Sequence, residues 1–311
     1  MQTIELKFPE YPYTPPLGWS ISRFEVFDKC KRQYFYQYYP KFVKDVPFYK
    51  MSKLRELTSV PLEVGNAVHD CMEALLARLQ KSDSKVDEGK FFKFADDKLR
   101  EYFAKKTFIE TYYKLADSVD ISAASEKVRA CLDNFINGPC YSWICMKAMT
   151  NRTGWMIEPP GFGETRIDGM KAYCKMDFLF PVDDEVYILD WKTGGKDRAK
   201  HAAQLMGYAV AANSNFSIPW NRIFPKIVYL YPRYDELEIT FGEEDLTNFF
   251  QTIRAQTGEM RAFCRDAEQN IPLDMSEFST SPSPGLCRNC RFQELCGQKA
   301  GAAGNNSVDD V

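Results

Sequence analysis

Histidine is scarce in this 311-residue chain, which has two copies, and long apolar runs are missing altogether. No stretch approaches the roughly 18 apolar residues that a membrane helix needs, which argues against a membrane partner. The opening segment, MQTIELKFPEYPYTPP, carries acidic residues and prolines where a secretory leader has basic residues and then an apolar run. The expected setting is therefore cytoplasmic. An excess of one charge is missing too: 40 Lys and Arg against 43 Asp and Glu leave a net charge of −3. Such a balance neither announces nor excludes a nucleic-acid binder, because binding depends on where the positive charge lies. No internal repeat is visible, and no G-x-x-x-x-G-K-[ST] phosphate loop occurs, so any duplex unwinding must come from a partner.

What is present describes a folded protein. Apolar residues make up 45% and aromatics 14%, far from a disordered composition. The length allows two domains or one elaborated domain. Residues 1–19, rich in proline and tyrosine, read as an arm over the body. Ser22-Arg23-Phe24-Glu25 fits a capping box, opening a helix that could run to Pro40. Residues 61–80 place Val64, Ala67, Val68, Met72, Leu75, Leu76 and Leu79 at helical spacing. Helical patterns continue to Gly138-Pro139. From about residue 155 the period shortens. KAYCKMDFLF alternates as one strand, Pro181 to Asp184 is a turn, and EVYILDWKT is its hairpin partner. A helix over 198–212, strands KIVYLYP and LEITF, and a helix over 245–266 follow. A Pro/Ser-rich linker leads to CRNCRFQELC, and the last residues read as a disordered tail.

Two features carry chemistry. In the first, Asp190 and Lys192 leave the same face of a strand, and Asp177 on the preceding strand can sit across from them. Two carboxylates and an ammonium suit phosphodiester hydrolysis, in which oxygen ligands hold Mg²⁺ or Mn²⁺ and the lysine stabilises developing charge. The Trp191 carbonyl could add a ligand. A cross-strand ion pair on a wet face is the commoner meaning of Asp-x-Lys. Three neighbours argue for more: Asp190 ends an apolar run, Thr193-Gly194-Gly195 is a flexible turn, and Gln204 and Tyr208 stand one helical turn apart. His69 follows Gly65 by one turn, and glycine permits close backbone approach. Glu73 could orient its imidazole, and His201, on the face of Gln204, is a substrate-contact candidate.

The second feature is Cys287-x2-Cys290-x5-Cys296, three of the chain's ten cysteines. Tetrahedral zinc and a cubane iron–sulfur cluster both take four protein ligands. Cys30 is the prime fourth, because Lys29, Lys31 and Arg32 beside it favour a thiolate. Spacing alone leaves zinc and a 4Fe–4S cluster as close competitors.

The chain resembles RecB-like members of the PD-(D/E)XK nuclease superfamily. The likeness lies in Gly65-Asn66-Ala67-Val68-His69, Asp177, Asp190-Trp191-Lys192-Thr193-Gly194 and Gln204-Leu205-Met206-Gly207-Tyr208, in the family's order. One departure is Cys174, where the family often has glycine. The resemblance implies that His69, Asp177 and Asp190 are metal ligands, Lys192 is the catalytic lysine, and Gln204 and Tyr208 contact the strand. An isolated early cysteine with the late trio matches the iron staple of AddB, exonuclease V and CRISPR-associated RecB-like nucleases, which favours the 4Fe–4S cluster.

The expected fold is α/β: a restriction-endonuclease-like mixed sheet flanked by helices, with a helical insertion and a stapled N/C-terminal subdomain. One nuclease domain is expected over 1–311. Its parts are an arm and cluster-bearing helix (about 1–60), a helical portion (61–150), a catalytic core (151–266), the staple (267–300) and the tail (301–311). The expected activity is metal-dependent DNA cleavage, by exonuclease action on single strands or ends, in repair, recombination or CRISPR adaptation. A separate helicase or CRISPR adaptation proteins are the expected partners. The alternative is a non-catalytic DNA-binding or scaffold subunit stabilised by iron–sulfur or zinc. Basic residues at 29–32, 41/44, 192–200 and 288/291, with tyrosines interleaved at 34–39, suit single-stranded nucleic acid.

Overall fold

The computed structural model describes residues 6–7, 9–82, 86–159 and 163–296. The expected tail lies outside them. Eleven α-helices are defined among the described residues: α1 (Ile21–Lys29), α2 (Lys31–Tyr38), α3 (Phe48–Glu56), α4 (Val60–Lys81), α5 (Glu88–Lys105), α6 (Ile109–Tyr112), α7 (Ile121–Ile136), α8 (Pro139–Met146), α9 (Arg198–Phe216), α10 (Glu243–Arg261) and α11 (Pro284–Arg288). The strands are β1 (Met156–Ile157), β2 (Glu164–Ile167), β3 (Met170–Tyr173), β4 (Phe178–Val182), β5 (Glu185–Lys192), β6 (Ile223–Tyr229), β7 (Asp235–Glu238), β8 (Cys264–Asp266) and β9 (Ile271–Pro272).

A five-stranded mixed sheet in the order β1-β4-β5-β6-β7 forms the centre. Only β5 and β6 run parallel. A parallel pair needs a crossover, and α9 supplies it. Strand β5 is buried on both faces, which is why Val186 to Leu189 reads as a continuous apolar run. Its even-numbered residues Val186 and Ile188 pack with Leu205, Ala209 and Ala212 of α9. Leu189 and Trp191 instead join Val68, Leu75, Leu132 and Phe135, from the α4 and α7 layer. Asp190 and Lys192 continue the even-numbered series and emerge on the α9 face.

Helix α4 positions the opposite wall. Pro61 and Glu63 occupy its first turn, and Arg78 and Lys81 its last, in keeping with the helix dipole. Val64, Val68, Cys71, Leu75 and Leu79 bury one stripe, leaving Asn66, His69, Asp70 and Glu73 in a polar stripe one step around the helix.

Several local expectations need correction. The expected first helix is two, broken at Cys30, whose extended backbone ends α1 and whose Sγ accepts the Gln33 N–H at 3.5 Å to open α2. Its cap is Ser20 rather than Ser22. The segment 171–180 is not one strand. Residues up to Tyr173 pair with β2, and those from Phe178 pair with β5. The change of partner occurs where the Cys174 N–H bonds the Gly163 carbonyl at 2.8 Å. Pro181 lies within β4, and the turn is Asp183-Asp184. Gly65 also packs less tightly than expected, since an added Cβ would meet Thr193 Oγ1 at an ordinary 3.5 Å.

Gly163 has φ +65°, and a Cβ there would lie 2.4 Å from the Cys174 carbonyl oxygen. Gly163→Ala should therefore destabilise the protein by about 1–3 kcal/mol in urea unfolding, through backbone strain. An unchanged midpoint would show that this junction can shift freely.

Candidate functional site

The ladder of β4 and β5 pairs Phe178 with Leu189, so one residue further on Asp177 faces Asp190. Asp177 is 6% exposed and Asp190 2%. Asp177 Oδ2 accepts the Trp191 N–H at 2.9 Å, which fixes the carboxylate against the end of β5. Tyr208 donates its hydroxyl to Asp190 Oδ2 at 2.5 Å, and Gln204 Nε2 donates to the same oxygen at 3.1 Å. Burial, and then the Asp190 charge, push the Tyr208 hydroxyl well above its ordinary value, so it stays a proton donor. The Lys192 ammonium lies 2.5 Å from Asp190 Oδ1. That contact is an ion pair without hydrogen-bond direction, and Oδ1 has no well-aligned donor although it is buried.

His69 enters from α4. Its Nδ1 lies 3.0 Å from Glu158 Oε1 and 3.5 Å from Asp177 Oδ1. Burial opposes protonation of the ring, but the Asp177 charge, the Glu158 hydrogen bond and the Asp190 charge outweigh it and lift the group to about 9. Burial and the Asp190 charge likewise push the Asp177 carboxyl above the carboxylate range. Negative charge is thus concentrated beyond what the surrounding protein neutralises.

Glu158 was not among the residues singled out from sequence. It follows the short strand β1 with φ +39°, a conformation seldom adopted by glutamate, and its N–H bonds the Asp177 carbonyl at 2.7 Å. Burial would raise its carboxyl, but bonds from His69 and Lys175 hold it below the usual range. Lys175 Nζ sits 2.9 Å from its other oxygen. The one available signal was an acidic residue just ahead of Pro159-Pro160, and it has no periodic pattern around it.

One ligand atom each from His69, Glu158 and Asp177 lie within 4.8 Å of one another. Two carboxylates and an imidazole, with Asp190 behind them, fit an oxygen-preferring divalent ion, and the imidazole tilts the preference from Mg²⁺ towards Mn²⁺. Of the expected ligands, His69 and Asp177 lie together with Glu158, while Asp190 is engaged by Lys192, Gln204 and Tyr208. Glu73 lines the neighbouring cleft but has no hydrogen bond to His69; Glu158 takes that role. His201 is buried, with Nδ1 2.8 Å from the Tyr229 hydroxyl, and it borders neither cleft. The Trp191 side chain packs edge-on against Phe135.

Two clefts of opposite character meet at this centre. One, of about 700 Å³, is bordered by Lys175, Lys192 and Lys200 with Tyr38 and Tyr173. The other, of about 550 Å³, is bordered by Asp70, Glu73, Glu158 and Asp177. Lys175 belongs to both.

The four cysteines also converge. Cys30, Cys287, Cys290 and Cys296 border a single small cavity. The Phe292 N–H points to Cys290 Sγ at 3.4 Å. Burial pushes the Cys290 thiol up to about 11, and the neighbouring sulfurs add to the rise. Among the described residues, no three of these sulfurs come within 4.8 Å of one another.

A family model for the PD-(D/E)XK nuclease superfamily matches residues 18–297. No curated protein matches the chain. A solved structure described as SSO0001 overlaps 65% of this chain and 81% of its own, at 18% identity and a TM-score of 0.29, a likeness too distant to inform the site.

Mn²⁺ at a hundredfold excess over its dissociation constant should stabilise the protein by about 2.7 kcal/mol in thermal unfolding. Glu158→Ala should lose most of that gain and Glu73→Ala should keep it. Equal gains in all three proteins would mean that the ion binds elsewhere.

Proposed function

Because the chain belongs to the PD-(D/E)XK nuclease superfamily, we propose that it is a divalent-metal-dependent deoxyribonuclease acting on single strands or DNA ends. The observation that carries this reading is the buried pair Asp177 and Asp190, facing each other beside Lys192 at the end of β5. A salt bridge on a wet face would not explain two opposed carboxylates with single-digit exposure.

The chain's own residues divide the work. His69, Glu158 and Asp177 would hold the ion, with Asp190 completing its surroundings. A divalent ion bound there polarises the phosphate and lowers the pKa of its water. Lys192 presents its ammonium where negative charge grows on the phosphate during in-line displacement. Tyr208 and Gln204 orient Asp190 through its Oδ2. The phosphate backbone lies along the cleft with Lys175 and Lys200, because the acidic cleft opposite repels it. Strands reach such a site from a separate helicase or during CRISPR adaptation.

The cysteine cavity is read as the seat of a 4Fe–4S cluster. A single tetrahedral zinc needs its sulfurs about 3.8 Å apart, from Zn–S bonds of about 2.3 Å. Sulfurs spread more widely suit ligands bound to separate iron atoms. The N–H groups of Gln33 and Phe292 aimed at sulfur stabilise thiolates. Such a cluster joins the start of α2 to the C-terminal segment and closes a loop of most of the chain, a link that restricts the unfolded state.

Lys192→Ala and Asp190→Ala should each abolish Mn²⁺-dependent cleavage of end-labelled oligonucleotides while circular dichroism stays native. Wild-type rates in either variant would reject the site. Cys290→Ser should lose the brown chromophore of anaerobically purified protein and much of its thermal stability. A colourless wild type with stoichiometric zinc would reject the cluster.

A further inference from the structure

Few aromatic side chains among the described residues are exposed, yet Phe48 and Tyr49, at the start of α3, are 81% and 75% exposed. Phe42, just before them, is 40% exposed. Among the described residues, neither the Phe48 nor the Tyr49 ring stacks on another ring or beneath a cation. The helix is anchored from behind by Met51 and Leu54, which are buried in the core, so the two rings stand on a rigid element. The surroundings are cationic. Residues 41–53 contain Lys41, Lys44, Lys50 and Lys53 against the single acid Asp45. Lys50 pairs with Glu294, and Lys53 lies over the Tyr112 ring. Lys41 and Lys44 have no partner among the described residues and are exposed.

Exposed rings can serve a protein partner or a nucleic acid. The charge decides here: protein–protein interfaces are depleted in lysine, whereas single-strand-binding surfaces combine lysines with rings on which bases stack. Position agrees. Tyr38 borders the basic cleft, and Lys41 follows it by three residues, so the two Cα atoms lie within about 11 Å. The basic segment that leads into α3 therefore begins at the margin of the basic cleft.

We propose that Lys41, Lys44, Phe48 and Tyr49 form a second binding surface for single-stranded nucleic acid, outside the catalytic groups, that holds the strand beyond the cleft. Bases stack on Phe48 and Tyr49 while phosphates meet Lys41 and Lys44. This rests on the nuclease reading for the role of the strand, but binding to the surface is measurable without cleavage. Substrates long enough to reach α3 gain affinity from it, and substrates confined to the cleft do not.

The test uses the full chain and fluorescence anisotropy with a labelled oligothymidylate of about 20 nucleotides, in EDTA so that metal-dependent cleavage is silent. Phe48→Ala/Tyr49→Ala should weaken binding by about tenfold or more. Lys41→Glu/Lys44→Glu should also weaken it, and Lys41→Ala/Lys44→Ala should flatten the dependence of log affinity on log salt by about 1.4. Cleavage of a trinucleotide should be unchanged in all of them. All four positions are exposed, so native circular dichroism is expected and serves as the check on folding. Wild-type affinity in the aromatic variant would overturn the proposal and leave the rings to a protein partner. Equal loss on the trinucleotide would overturn it too, since the surface would then be part of the cleft. If the wild type binds the oligonucleotide and cleaves nothing, the nuclease reading fails while the surface stands.

Discussion

Asp177 and Glu158 converge on one imidazole with the Asp190 charge acting on both Asp177 and His69, and this crowding of carboxylates is the constraint to which the rest of the fold answers. Left to themselves, such groups would take up protons or move apart. Proton uptake is favoured at Asp177, whose carboxyl is pushed up, but separation is blocked. The Trp191 amide grips Asp177, Tyr208 and Gln204 grip Asp190, and a left-handed backbone turn directs Glu158 inward. The raised proton affinity of His69 and the ammoniums of Lys192 and Lys175 offset part of that charge. A divalent cation held by these side chains would take the place of the histidine's proton and offset the remaining negative charge.

Holding that arrangement requires elements from both layers to meet at one end of the sheet. Strand β5 brings Asp190 and Lys192 to the α9 face, while the odd-numbered side chains Leu189 and Trp191 lock the strand into the α4 and α7 layer. Helix α9 closes the parallel β5–β6 pair and carries Gln204 and Tyr208, so the topology and the orientation of Asp190 are two outcomes of one crossover. Helix α4 adds His69 from a polar stripe beside its buried face. The groups of the proposed site therefore stand mostly on rigid elements rather than on loops, which suits chemistry that depends on placement.

The legible parts were those with a period or a fixed spacing. Helix α4 declared itself through its buried stripe, β5 through its apolar run, and the three late cysteines through their spacing. Junctions were not legible. The strand read across 171–180 alternates up to Phe178, yet it changes partner between Tyr173 and Phe178, because a glycine far enough upstream to be invisible to the pattern bonds Cys174. The break at Cys30 was hidden because its flanks are good helix formers and a cysteine sulfur that caps the next helix, here accepting the Gln33 N–H, is not a pattern the sequence announces. Glu158 escaped because its role comes from an unusual backbone conformation rather than from neighbours in sequence. His201 drew attention because it shares the helix face of Gln204, but its partner is the Tyr229 hydroxyl in the interior.

Anomalous diffraction from crystals grown with Mn²⁺ would address the central claim most directly. The account predicts a strong peak in contact with His69, Glu158 and Asp177, on the side of Asp190. A fully ordered site with those side chains in their present positions and the only manganese peak elsewhere would contradict it.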